Sequence, residues 1–124
     1  MIIALGIFFI LHGFAHVVGF AASFKLLKNE NAPYSTRILN GAIDVGDVGT
    51  RVLGLLWLIA AVAFAVVGVS SFFDVDWWTT ASYSVVGFST LMCIVGLPLS
   101  KIGLVIDIIL IAAMLVGEAV DLLP

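Results

Sequence analysis

Two histidines one helical turn apart, His12 and His16, and a carboxylate set inside an apolar run, Asp107, are the residues of this 124-residue chain whose types and places could do chemistry. Imidazoles at i and i+4 share one helical face. So placed, they could hold a single metal ion with Asp107 or Glu118 as a further ligand, or pass a proton to a carboxylate at the same depth. They could equally be neutral interior residues bonded to Ser, Thr or backbone carbonyls of neighbouring helices. Both project from one side of their helix, so they cannot be the two opposite axial ligands of one haem; a haem would need a single histidine or a second chain. Asp107 and Glu118 also share a face, with Gly103, Met114 and Asp121, at ~100° per residue. No Ser-His-Asp, Cys-x-x-Cys, phosphate-loop or GxGxxG pattern is legible, so hydrolase, thiol-redox and nucleotide-binding classes lack support.

The elements that must position these groups follow from composition. Residues from AVILMFWYC make up 63% of the chain, charged residues 10%, and the mean hydropathy is +1.28. That excludes a disordered tail, a nucleic-acid binder and an ordinary soluble domain. Five basic and eight acidic residues, net charge -3, are scattered without a basic patch or an acidic run. Four apolar stretches, about 2–24, 51–73, 77–99 and 102–123, each reach the ~20 residues that cross ~30 Å of hydrocarbon. Their continuous runs favour helices over the ~10-residue alternation of a barrel. The expected fold class is all-α: a single transmembrane four-helix bundle over 1–124, with a connector at about 25–50.

Lys25, Lys28, Arg37 and Arg51 surround that connector and Lys101 sits in the third, whereas the second carries Asp74 and Asp76 and the C-terminus Glu118 and Asp121. The positive-inside rule then predicts both termini outside and a multi-pass protein of the cell membrane. Phe72, Phe73, Trp77 and Trp78 would form an outer aromatic belt. A cleavable leader is the competing reading of residues 1–24, but no Lys or Arg precedes that run and the positive charges follow it. The connector itself, with Pro33 and three glycines between Gly41 and Gly49, reads as a segment in or dipping into the interface, with the second helix beginning early.

Each helix carries one small or polar stripe, where helices approach closely in a bilayer: His12, His16, Gly19 and Ser23; Arg51, Gly54, Ala61, Ala65 and Gly68; Ser82, Ser89, Cys93 and Gly96; and the Asp107 face. Counting ~1.5 Å per residue, Asp107 lies ~9 Å from the level of Lys101, His16 ~13 Å from Lys25 and His12 ~20 Å from it. That places His16 near Asp107 and leaves open an Arg51–Asp107 ion pair, with Asp44 and Asp47 competing for the arginine. Arg51 and Lys101 read otherwise as interface anchors, and Cys93, Trp57 and the methionines as packing residues.

LHGFAHVVGF at 11–20, RVLGLLWLIAA at 51–61 and SKIGLVIDIIL at 100–110 resemble an uncharacterised family of small bacterial four-span membrane proteins, loosely similar in architecture to the DoxX-like proteins. That family has LHGxxHxxGF in its first helix, an arginine before GxLWLLAA and a KxGxxxN stretch opening the fourth. Here Asp107 stands at the Asn position, and the first connector is longer. The resemblance implies the four-span fold in a bacterial inner membrane and the set His12, His16, Arg51, Lys101 and Asp107; it implies no activity. Three functions are expected. One is a non-catalytic module whose polar cavity, lined by His12, His16, Arg51 and Asp107, binds a hydrophobic or lipid-like ligand or a partner subunit. The second is an oligomeric proton-coupled or ion carrier. The third is a membrane oxidoreductase or metal or haem protein using His12 and His16. No particular cofactor is implied.

Overall fold

The computed structural model describes residues 1–28 and 30–123. Four helices carry the chain: α1 (Ile2–Ser23), α2 (Gly46–Ser70), α3 (Trp78–Val95) and α4 (Lys101–Ala119). All four are long and apolar enough to cross a membrane. Large apolar side chains such as Leu11, Phe14, Ile59, Leu91, Ile102 and Ile109 point outward from them, as they do where lipid rather than water is the solvent.

The first helical pair is held by glycine. A Cβ on Gly6 would sit 1.7 Å from Ser71 Oγ and 2.8 Å from the Gly68 carbonyl, and one on Gly13 would sit 2.9 Å from Phe64 Cβ. Only bare backbone permits that approach, so α1 and α2 run against each other along their length. At the end of the bundle that holds both termini, Phe9 meets Phe64 edge-on at 5.5 Å and stacks on Trp78 at 5.9 Å. Val86, Leu110 and Met114 complete this apolar core. Trp78 Nε1–H donates to the Val67 carbonyl at 3.1 Å, so its one polar atom is satisfied.

The opposite end is organised by the connector, which holds two elements that the apolar runs do not announce. Strands β1 (Arg37–Ile38) and β2 (Ile43–Asp44) pair antiparallel, Arg37 opposite Asp44 and Ile38 opposite Ile43. Their turn passes through Leu39, Asn40 and Gly41, all at positive φ. The amides of Leu39 and Asn40 donate to the carbonyls of Val95 and Leu97 at 2.9 Å each. The hairpin thereby satisfies carbonyls left open where α3 ends. At its other edge Asp44 Oδ1 accepts the Gly46 N–H at 3.0 Å, and Asp47 stands in the first turn of α2, where the helix dipole favours an anion. These contacts start α2 at Gly46, five residues before the apolar run at 51.

Candidate functional site

At mid-length the apolar core gives way to a polar cluster drawn from three helices. His12 and His16 of α1, Ser89 of α3 and Asp107 of α4 are each at most 4% exposed. His12 Nε2 lies 2.9 Å from Asp107 Oδ1. Ser89 Oγ donates to Asp107 Oδ2 at 2.7 Å, and His16 Nε2 lies 3.0 Å from the same Ser89 Oγ. The order of the chain is therefore His12, Asp107, Ser89, His16. A carboxylate buried at this depth is costly unless it accepts good hydrogen bonds, and here both of its oxygens do. The His16 ring is clamped between Trp57 and Phe64, with centroids 5.2 Å away on each side and planes tilted by 25° and 16°.

Ser89, His16 and Asp107 are thus neighbours, a combination the sequence pattern did not bring out. Their order is wrong for a hydrolytic triad, which needs histidine between serine and carboxylate. Here the serine hydroxyl is the middle link and gives its proton to the carboxylate. The metal reading fares no better on geometry. Both Nε2 atoms are engaged by protein partners, which leaves only the Nδ1 atoms; Glu118 is occupied elsewhere by the Tyr83 hydroxyl at 3.1 Å, and no group of three metal-ligating side chains occurs among the described residues.

Arg51 does not reach Asp107. It is exposed and borders a separate depression with Ser23, Phe24, Lys25 and Tyr34. Its competitors are likewise elsewhere: Asp47 accepts from the Tyr34 hydroxyl, which raises the Tyr34 pKa above its ordinary value, and Asp44 binds the Gly46 amide, which with Thr36 and Arg37 holds its carboxyl low. Lys101 is exposed at the start of α4. The ion pair left open by the residue count does not form, and the count itself treats Lys25 and Lys101 as level, which they are not. The bond from His12 to Asp107 sets thirteen residues of α1 side against six of α4, so the two lysines differ in height by ~10 Å. The hairpin fills that step beneath the end of α3.

Beside the cluster lies a cavity of about 320 Å³ whose walls are mostly apolar. His12 and His16 form its polar floor, with Trp57 and Cys93 alongside. Ala15 of α1 and Ile102 of α4 are exposed among its lining residues, as are Pro33, Ser35 and Arg37 on the connector side. Of the expected cavity residues, His12 and His16 line it; Asp107 lies behind them, and Arg51 is outside. Sequence reasoning missed Ser89 as a link, Trp57 as a wall and Arg37 as a lining cation. The first had a signal in the polar stripe of α3; Arg37 served only as a marker of sidedness. Comparison with protein-family models, curated proteins and solved structures finds no match to this chain.

Proposed function

We propose that this is a multi-pass protein of the bacterial inner membrane, with both termini outside, that binds a small apolar ligand in the cavity lined by the four helices and the connector and does no chemistry on it. The observation that carries this reading is the cavity itself: about 320 Å³, walled by apolar side chains and floored by two buried histidines. Ligand sites in proteins have this composition, a large apolar lining with a few convergent polar groups. The exposed lining residues Ala15 and Ile102 give a membrane-dissolved molecule a lateral way in. The placement of the termini rests on the lysines and arginines gathered at the connector end. The ion-carrier reading is less well supported, because Phe9, Phe64, Trp78 and Met114 fill the space beyond His12 and interrupt any polar path through one copy.

The test is to extract the purified protein with organic solvent and analyse the extract by mass spectrometry. A specific apolar molecule is expected near one per chain, and less of it from Ala15→Trp, whose indole narrows that way in. Extracts holding only detergent and bulk phospholipid, the same from both proteins, would overturn the reading.

A further inference from the structure

We propose that the cavity selects a ligand whose head donates a hydrogen bond, an alcohol or phenol rather than a ketone or ether, and that Asp107 sets this choice through Ser89. The inference rests on the reading of the cavity as a ligand site. It follows from counting protons along the buried chain. Taken as a carboxylate, Asp107 accepts only, so both of its contacts then bring hydrogens to it: the His12 Nε2–H and the Ser89 O–H. A serine hydroxyl has one hydrogen. With that hydrogen given to Asp107, Ser89 Oγ meets His16 only as an acceptor, so His16 carries its proton on Nε2. A neutral imidazole protonated there has a bare lone pair on Nδ1.

That lone pair faces the ligand space. His16 lines the cavity, and its Nε2 is turned to Ser89. The buried side-chain atoms sealed without a partner, among the described residues, are His12 Nδ1 and Ser82 Oγ; His16 Nδ1 is not one of them. The clamp of Trp57 and Phe64 on the two faces of the ring fixes which edge points outward. The floor of the cavity therefore presents an acceptor. A hydroxyl head seated at His16 satisfies it. A carbonyl head there sets lone pair against lone pair, which is costly in an apolar site, since the Arg37 guanidinium lies on the connector side rather than at the histidines.

The same count predicts what reverses the choice. In Asp107→Asn the amide oxygen still accepts from His12, but the amide N–H now donates to Ser89 Oγ. Ser89 turns its hydrogen to His16 Nε2, and the His16 proton moves to Nδ1, where it faces the cavity as a donor. Asp107 and Ser89 act here as positioning residues, since neither touches the ligand.

The experiment has two readouts on the full chain in detergent. First, ¹⁵N spectra of histidine-labelled protein are expected to show His16 protonated at Nε2 in the wild type and at Nδ1 in Asp107→Asn; His16 is assigned by its loss in His16→Phe. Second, undecan-2-ol and undecan-2-one, which share one skeleton and differ in the head, are titrated against Trp57 fluorescence in a Trp77→Phe, Trp78→Phe background and, should that background not fold, against the His16 signal. The alcohol is expected to bind roughly tenfold tighter than the ketone in the wild type, and the preference is expected to vanish or invert in Asp107→Asn. Equal or ketone-preferring binding in the wild type, or a His16 proton on Nδ1, overturns the inference and leaves the ligand site standing. Absence of binding by either probe, with wild type and Ala15→Trp alike, overturns the ligand site beneath it.

Discussion

The two halves of the bundle are built from the same four helices and are packed in opposite ways. Toward the termini, rings and branched side chains fill the interior: Phe9, Phe64, Val86 and Met114 have no exposed surface. Toward the connector, a cavity opens among His16, Cys93, Gly96 and Gly103, with Trp57 as its one large ring. Small residues in membrane helices ordinarily let backbones close up, as Gly6 and Gly13 do against α2. Gly103 has no such partner: a Cβ there would meet only Cys93 Sγ, at 2.9 Å. Elsewhere in this half glycine still admits close contact, since a Cβ on Gly54 would sit 2.6 Å from Ser23 and one on Gly19 2.8 Å from Trp57, so the open space lies on the α3–α4 side, at Gly103. The hairpin bounds that space: its amides bind the end of α3, and Arg37 and Ile38 line the cavity beside Val95.

The largest expected effect tests that contrast directly. Phe9→Ala removes a ring in contact with Phe64 and Trp78 and should cost about 3–5 kcal/mol, read as a fall in the unfolding temperature in detergent. Leu53→Ala, on the cavity wall, half-buried and outside the apolar core cluster, borders open space and should cost only about 1 kcal/mol. Equal losses from the two would mean that the connector half is packed as tightly as the other.

Next in size is the buried carboxylate. Asp107→Ala leaves the His12 N–H and the Ser89 O–H without an acceptor in a dry interior, a loss of about 3 kcal/mol. Asp107→Asn keeps every link by reversing part of the chain and should stay within about 1 kcal/mol of wild type. If Asn proves as damaging as Ala, the network depends on charge rather than on the pattern of donors and acceptors.

Much of this architecture can be read from the residues, and the part that cannot has physical causes. Helices α1 to α4 follow from apolar runs long enough to span a bilayer, and the composition leaves little else for them to do. The pairing of His12 and His16 follows from their spacing, and their rings indeed stand 4.8 Å apart. The hairpin escapes notice because its strands are two residues each, too short for any alternation. Counting from the lysines sets Asp107 level with His16 rather than His12, because the connector that shifts the lysine levels is itself the illegible segment. Ser89 lay within a visible stripe, but a stripe shows which face is buried and not which hydroxyl meets which ring.

A smaller effect concerns the joint between hairpin and α2. The Asp44 carboxyl is held below its ordinary 3.8, chiefly by the Gly46 amide and then by Thr36 and Arg37. For a carboxylate lowered in the folded state, the contribution to stability is present above the unfolded pKa and is lost as pH falls through the folded one. The Asp44 carboxyl ¹³C signal should therefore titrate below 3.8, and Asp44→Asn should shift the Gly46 amide signal at neutral pH. A midpoint at or above 3.8 would detach the aspartate from the start of α2.

The smallest expected effect separates the two arginine readings. Were Arg51 the partner of Asp107, Arg51→Ala would strand a buried carboxylate and cost several kcal/mol. The structure gives Asp107 to His12 and Ser89, and the carboxylate one turn before Arg51, Asp47, is taken by Tyr34. Arg51 is left exposed, and an exposed side chain outside any buried network moves stability by no more than about 0.5 kcal/mol. Arg51→Ala should thus melt with the wild type, and combined with Asp107→Asn it should add nothing to the single change, since residues without shared partners contribute independently. A coupling above about 1 kcal/mol between the two would show that the guanidinium reaches the buried chain after all. The polar half of the bundle would then be charge-balanced from the connector rather than closed upon its own histidines.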